Sequence, residues 1–194
     1  MKNILFKDGE ALYLPHFFST EESDAFLQKL LSEIKWEQTP IKVFGKEVMQ
    51  PRLTAWYGDS DKTYRYSGTT MHPFHWTETL LTIKSRIEPL ANVSFTSVLL
   101  NLYRDEKDSM GWHRDNEREL GTNPVIASLS LGAVRQFHFK HIKEKGLSTS
   151  LDLENGSLLL MRGETQSNWY HSLPKLKGPA GVRINLTFRT ILDK

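Results

Sequence analysis

Cysteine is absent from the 194 residues. Its absence excludes disulfide frameworks, thiolate zinc sites and thiol nucleophiles, so any metal must rest on histidine and carboxylate ligands. No apolar run exceeds a few residues, far short of the roughly 20 that a membrane-spanning helix needs. The first fourteen residues carry Lys2, Lys7, Asp8 and Glu10 and lack the apolar centre of a signal peptide. An intracellular, soluble protein is expected, cytoplasmic if bacterial, with no membrane partner. A strong charge excess is also missing. The net charge of +2 permits an anionic partner without demanding one. Internal repeats, linkers and low-complexity tracts are absent too.

What remains is an ordinary globular composition, 39% hydrophobic and 25% charged, and disorder along the chain is not expected. Ala11 to Phe18 is apolar and extended in character. Ser19, Thr20, Glu21 and Glu22 make a helix start, and Phe26, Leu27, Leu30, Leu31 and Ile34 continue at helical spacing to about Lys35. Val43 to Tyr57 reads as a hairpin turning around Gly45 and Lys46. Phe74 to Pro89 reads as a second helix, with Pro89 placed to end it. From Ser94 the texture changes to short β-rich runs split by turn residues. The expectation is one domain, mainly β with flanking helices, the helices ahead of a β-sandwich or barrel.

Two residues apart, His113 and Asp115 can point to the same side of an extended backbone and reach one ion. Two histidines and one carboxylate make the facial triad of non-haem iron(II) oxygenases, which leaves positions open for a co-substrate and dioxygen. A second histidine is needed, and His138, His141 and His171 lie downstream. His138 alternates with Phe137 and Phe139 and reads as a surface residue. His141 reads as part of a solvated turn. His171 follows an aromatic strand. Further on, Arg183, Asn185, Thr187 and Arg189 alternate with Ile184, Leu186 and Phe188. That polar face is either a wet outer surface or the lining of a pocket for a dicarboxylate, which arginine's planar fork would grip.

Taken together, H-x-D at His113 and Asp115, a distal His171 and R-x-N-x-T-x-R from Arg183 to Arg189 resemble the AlkB family of nucleic-acid dealkylases. Asn101-Leu102-Tyr103 resembles the family's N-x-Y. The stretches from His113 to Leu120, Ile126 to Ala133, Gly156 to Met161 and Trp169 to Pro174 are similar to the member that repairs duplex DNA. The likeness spans roughly Val43 to Ile191. It implies a double-stranded β-helix (jelly-roll) core over 94–194, with N-terminal helices and a nucleotide-recognition lid over 1–93. It implies iron(II) on His113, Asp115 and His171, with 2-oxoglutarate and O2 as the other reactants. Arg183 would hold the distal carboxylate of 2-oxoglutarate, helped by Tyr103 and Asn185. Arg189 and Asn101 would lie near its C1 carboxylate, and Thr187 would support the strand.

On the substrate side, Tyr64, Tyr66 and Ser67 resemble the family's lid motif. An enzyme acting on a base edge must take that base out of the stack, so the tyrosines are candidate base contacts. Phe44 resembles the tip of a hairpin finger that wedges into the helix, and Arg52 matches a residue near that finger. Glu117 matches a position near the flipped base, where it could accept from an exocyclic amino group. Asn116 stands where the duplex homologue has an acid, and Trp112 where it has a charged residue. The resemblance therefore implies oxidative demethylation of N1-methyladenine and N3-methylcytosine, with etheno adducts as further candidates. The partner is alkylated DNA, duplex favoured, with RNA or single strands as the alternative, acted on by a monomer. Two other readings are a protein or small-molecule hydroxylase and a non-catalytic damaged-base binding module. The chain begins close to the resembling region, so no partner-recruiting arm is carried over.

Overall fold

The computed structural model describes residues 1–43, 45–62, 64–66 and 69–192, with backbone alone at 42, 43, 64–66 and 69–71. In chain order the elements are β1 (Lys2–Asn3), β2 (Glu10–Leu14), α1 (Thr20–Glu33), β3 (Pro40–Val43), β4 (Lys46–Met49), β5 (Leu53–Gly58), β6 (Tyr64–Tyr66), β7 (Thr69–Met71), β8 (Phe74–His75) and α2 (Glu78–Ala91). There follow β9 (Ser97–Tyr103), β10 (Met110–His113), β11 (Ile126–Gly132), β12 (Arg135–His141), β13 (Ser148–Leu153), β14 (Ser157–Arg162), α3 (Thr165–Asn168), β15 (Trp169–Leu173) and β16 (Arg183–Arg189).

Eight strands form a major sheet in the order β1-β2-β14-β11-β16-β9-β5-β8, and four form a minor sheet in the order β10-β15-β12-β13. This is the jelly roll that the motifs imply. The major sheet draws β1, β2, β5 and β8 from the first 93 residues, so it runs across the boundary at 93. β3 pairs with β4 and β6 with β7 as separate two-stranded units.

Both faces of the major sheet are covered. On one side Leu100, Leu129, Leu131, Ile184, Leu186 and Phe188 pack against Leu30 of α1 and Leu80, Ile83 and Ile87 of α2. On the other, Tyr103, Ile126, Leu159 and Met161 face Phe137, Phe139, Trp169 and Leu173 of the minor sheet. Each large side chain so buried contributes about 1.5–3 kcal/mol. Ser19 starts α1 with a capping box: its side chain accepts from Glu22 N, while the Glu22 carboxylate accepts from Ser19 N.

Two expectations are corrected. The segment 43–57 is not one hairpin. β3 and β4 pair with each other, and β5 leaves them to pair with β9, because Ala55 and Tyr57 bury in the main core. Pro89 lies inside α2 rather than ending it, and Phe74–His75 is a strand rather than a helix start. Proline forfeits one hydrogen bond, but Ile87 and Ala91 are buried on either side of it. The helix stops at Asn92, whose left-handed φ of 55° closes the last turn with a bond to the Glu88 carbonyl.

Gly132 joins this scaffold to the polar face of β16. Its φ is +86°, it lies opposite Arg183, and a Cβ there would sit 2.4 Å from the Val182 carbonyl oxygen. Gly146 has a φ of +90° with open space around it. Gly132→Ala is expected to lower stability by about 3 kcal/mol and Gly146→Ala by about 1 kcal/mol. Urea unfolding of both variants checks the difference, which isolates the close approach from backbone strain.

Candidate active site

The site is built by strand register. Across the three central strands, Arg183 lies opposite Tyr103 and Gly132, Asn185 opposite Asn101 and Ser130, and Thr187 opposite Leu99 and Ser128. Residues directly opposite share a face, so these side chains form one polar patch. It faces the interior between the sheets, not solvent: Arg183 is 1% exposed and Asn185 8%. Every residue expected to hold the metal or the co-substrate lines a single pocket there, together with Met110, Ser128, Phe137, Met161 and Leu173.

The minor sheet supplies the opposite wall. His113 on β10 lies opposite His171 on β15, and their ring centroids are 4.3 Å apart. A bulge between Met110 and His113 shifts the register. His113 thereby turns inward while Trp112 stays exposed. One ligand atom each from His113, Asp115 and His171 lies within 4.8 Å of the others. His113 Nδ1 is 2.9 Å from the Gly111 carbonyl oxygen. An acceptor there keeps the proton on Nδ1 and leaves the Nε2 lone pair for an ion. His171 Nε2 is 3.8 Å from Asp115 Oδ2.

Charge states suit the same role. Burial pushes His171 down to about 3, with the neighbouring His113 adding to the shift, and burial also lowers His113, so both imidazoles are neutral. Burial alone would raise the Asp115 carboxyl. Arg189 and the two histidines outweigh it, and the net direction is down. Arg189 Nη2 donates to Asp115 Oδ1 at 2.5 Å, and the Asp115 amide donates to Gln166 Oε1 at 2.9 Å. Two neutral imidazoles and one fixed carboxylate, opening on a pocket, fit a divalent ion such as iron(II).

Arg183 shows what else the pocket is made for. Its Nη2 donates to Ser130 Oγ at 2.9 Å, while Nε and Nη1 are buried without a partner. Burial lowers its pKa to about 10, which still leaves it charged at neutral pH. Among the described residues no carboxylate lies within salt-bridge distance of it. A buried, uncompensated guanidinium is destabilising by several kcal/mol, and a carboxylate ligand would supply the missing charge and acceptors. Asn185 donates to Ser128 Oγ and the Leu129 carbonyl and accepts from Thr187 Oγ1. Ser128, Ser130 and Gln166 were not singled out as site residues from the sequence. The alternation in Ser128-Leu129-Ser130, matching that of β16, was the available signal.

The substrate-side expectations fare differently. Phe44 and Ser67 lie outside the described residues. Tyr64 and Tyr66 are described by backbone alone, in β6. Asn116 is exposed, and Glu117 is half-buried with Oε2 lacking a partner. Arg52 is buried. It is 7% exposed, its Nε donates to Asn101 Oδ1 at 2.8 Å, and it also bonds Gln50 and the Ser109 carbonyl. Arg114 donates to the Ser167 carbonyl and lies over the Tyr170 ring. His138 is half-exposed, but His141 is buried: its Nδ1 accepts from the Lys143 and Glu144 amides, so it organises the turn from inside.

A model of the 2OG-Fe(II) oxygenase superfamily matches residues 10–189. The chain is 44% identical over 186 residues to the alpha-ketoglutarate-dependent dioxygenase alkB homolog 3 of Mus musculus, covering 91% of this chain and 64% of that protein. It is 41% identical over 185 residues to the DNA oxidative demethylase ALKBH2 of Homo sapiens, covering 90% and 71%. The chain therefore spans just under two thirds of the alkB homolog 3 relative. The solved structure of OsALKBH1 superposes with a TM-score of 0.67, covering 96% of this chain and 99% of that one at 18% identity, which is a likeness of fold. No helix among the described residues is long and apolar enough to cross a membrane.

The histidine shifts carry a pH dependence. Between about 3 and the ordinary 6.5, the unfolded chain binds a proton at residue 171 that the folded chain does not, so acid favours unfolding across that window. His113 acts in the same direction, while the lowered Asp115 acts below 3.8. Metal-free protein should lose stability steadily as pH falls below 6.5, and His171→Gln should show a shallower slope. Denaturant unfolding at several pH values measures it.

Proposed function

The chain belongs to the 2OG-Fe(II) oxygenase superfamily and, within it, to the AlkB homologues, and on that premise we propose that it removes alkyl groups oxidatively from nucleic-acid bases. The observation carrying this reading is the convergence of His113, Asp115 and His171 with the unpaired guanidinium of Arg183 in one pocket.

Iron(II), when bound, supplies activation of dioxygen at the expense of 2-oxoglutarate, which ends as succinate and carbon dioxide. The chain's own groups position the reactants. His113 and His171 offer neutral nitrogens, and Asp115 offers a carboxylate kept anionic by Arg189. Arg183 takes the distal carboxylate of 2-oxoglutarate beside Tyr103, while Asn101 and Arg189 lie toward its C1 end. Asn185 and Thr187 spend their hydrogen bonds on one another and on β11, and so brace the strand that carries both arginines. Hydroxylation of an N-methyl carbon leaves a hemiaminal. Its C–N bond breaks, the base keeps the electron pair, and formaldehyde departs.

N1-methyladenine and N3-methylcytosine in DNA, duplex favoured, are the proposed substrates. Support comes from the Tyr64-to-Tyr66 segment, whose backbone forms β6, from the resemblance of Phe44 to a wedge residue in the sequence, and from Glu117. The free Oε2 of Glu117 suits the exocyclic amino group of adenine or cytosine. A base must be unstacked to reach such a pocket, and an apolar wedge fills the gap it leaves.

Mass spectrometry of methylated duplex, single-strand and RNA oligomers is the test, with iron, ascorbate and 2-oxoglutarate each omitted in turn. Loss of a methylene mass only with all components present is expected, and loss without 2-oxoglutarate would overturn the reading. Arg183→Gln should raise the 2-oxoglutarate KM by about tenfold or more and change the oligonucleotide KM little. Steady-state kinetics in both reactants distinguishes that from general damage. Phe44→Ala should slow duplex turnover several-fold more than single-strand turnover, and an unchanged ratio rejects the wedge.

A further inference from the structure

Arg135 opens β12 and is 1% exposed, facing inward in alternation with Phe137 and Phe139. A guanidinium in that position is expensive to bury, yet no acid holds it: among the described residues it makes no ion pair within 4.0 Å. Its Nη2 donates to the Asp108 carbonyl at 2.9 Å and the Pro174 carbonyl at 2.7 Å, its Nη1 to the Asp105 carbonyl at 3.3 Å, and Nε has no partner. The nearby Asp108 carboxylate is bound by the fork of Arg104 instead. Three loop carbonyls thus fix the plane of a cation that they neutralise only in part.

That cation points at the co-substrate end of the pocket without lining it. The Arg135 guanidinium carbon lies 5.7 Å from the Tyr103 ring centroid, and that of Arg183 lies 5.2 Å from the same ring. One tyrosine face system therefore serves two guanidinium groups. Arg183 feels its neighbour: burial lowers its pKa first, Tyr103 opposes that, and the charge of Arg135 lowers it further. Two buried positive charges flank one ring; Asp105 and Asp108 offset that of Arg135 in part from the far side, and no carboxylate among the described residues pairs with Arg183, so an anion is favoured at the Arg183 end.

We propose that Arg135 is a positioning residue for the distal carboxylate of the co-substrate, holding Tyr103 in place and adding a second positive charge behind Arg183. Nothing in the sequence pattern pointed to it, because an arginine after Gly132-Ala133-Val134 reads as the edge of a turn. The inference rests on the pocket being a 2-oxoglutarate site.

Calorimetric titration of 2-oxoglutarate into the full chain loaded anaerobically with Mn(II) tests it, using wild type, Arg135→Gln, Arg135→Lys, Tyr103→Phe and the Gln–Phe double variant. The Gln variant is expected to bind 2-oxoglutarate about tenfold more weakly. The Lys variant, which keeps charge but cannot span three carbonyls, should lose about threefold. The double variant should lose less than the product of the two single losses. Mn(II) affinity and oligonucleotide KM should stay within about twofold of wild type, a split that mere damage to the fold would not produce. Unchanged binding in the Gln variant, parallel loss of metal and oligonucleotide affinity, or full additivity overturns the proposal. Should the Gln variant fail to fold, the Lys variant decides, and wild-type affinity there overturns it. Failure of the wild-type protein to bind 2-oxoglutarate would instead overturn the assignment of the pocket.

Discussion

Met110 lies opposite Leu173, yet three residues further along β10 His113 lies opposite His171, only two residues back along β15. That extra residue on one strand is the constraint from which the site follows. Side chains alternate between faces, so a shift of one residue exchanges inside for outside. Without the bulge, His113 would fall opposite Tyr170 and its ring would leave the interior. Gly111 sits within the bulge, and its carbonyl accepts from His113 Nδ1, so the irregularity both turns the imidazole inward and selects its tautomer. Asp115 follows two residues later, beyond the end of the strand, where Gln166 and Arg189 hold its backbone and its carboxylate.

The facing wall shows the complementary economy. Its polar groups lie between two sheets, where unmet hydrogen bonds are costly, and most are satisfied by one another. Arg183 is the main departure, with two buried donors unmet where Arg189 has one, and Arg135 behind Tyr103 adds a second buried guanidinium that no acid pairs directly. A protein that bore these only for stability would gain by replacing them with apolar residues. A ligand carrying negative charge accounts for both, and a dicarboxylate reaching toward the metal-binding residues has the right chemistry.

Much of this could be read from the residues. The spacing of His113 and Asp115, the alternation from Arg183 to Arg189 and the two helical periodicities all describe local geometry, which sequence reports directly. The side of the sheet on which the arginines lie was open until the motifs were taken together, because alternation has the same appearance whether the polar face meets water or a pocket. Arg52 and Arg135 illustrate the harder case. Each is a cation with carbonyl or amide partners that folding brings together from segments far apart in the chain. His141 is similar: a strand-end histidine between lysines reads as solvated, but two turn amides converge on its ring and bury it. Pro89 misleads for the opposite reason, since packing on both sides of it outweighs a local preference.

One ion and one keto acid must meet in the same pocket for this chemistry to run. Anaerobic titration of the metal-free chain with iron(II), then with 2-oxoglutarate, measures this directly through the visible charge-transfer absorption that arises when a keto acid chelates iron. One iron per chain and a band that grows to saturation with one equivalent of 2-oxoglutarate are predicted. Iron uptake without any band on adding the keto acid, or no stoichiometric uptake of iron, would contradict it.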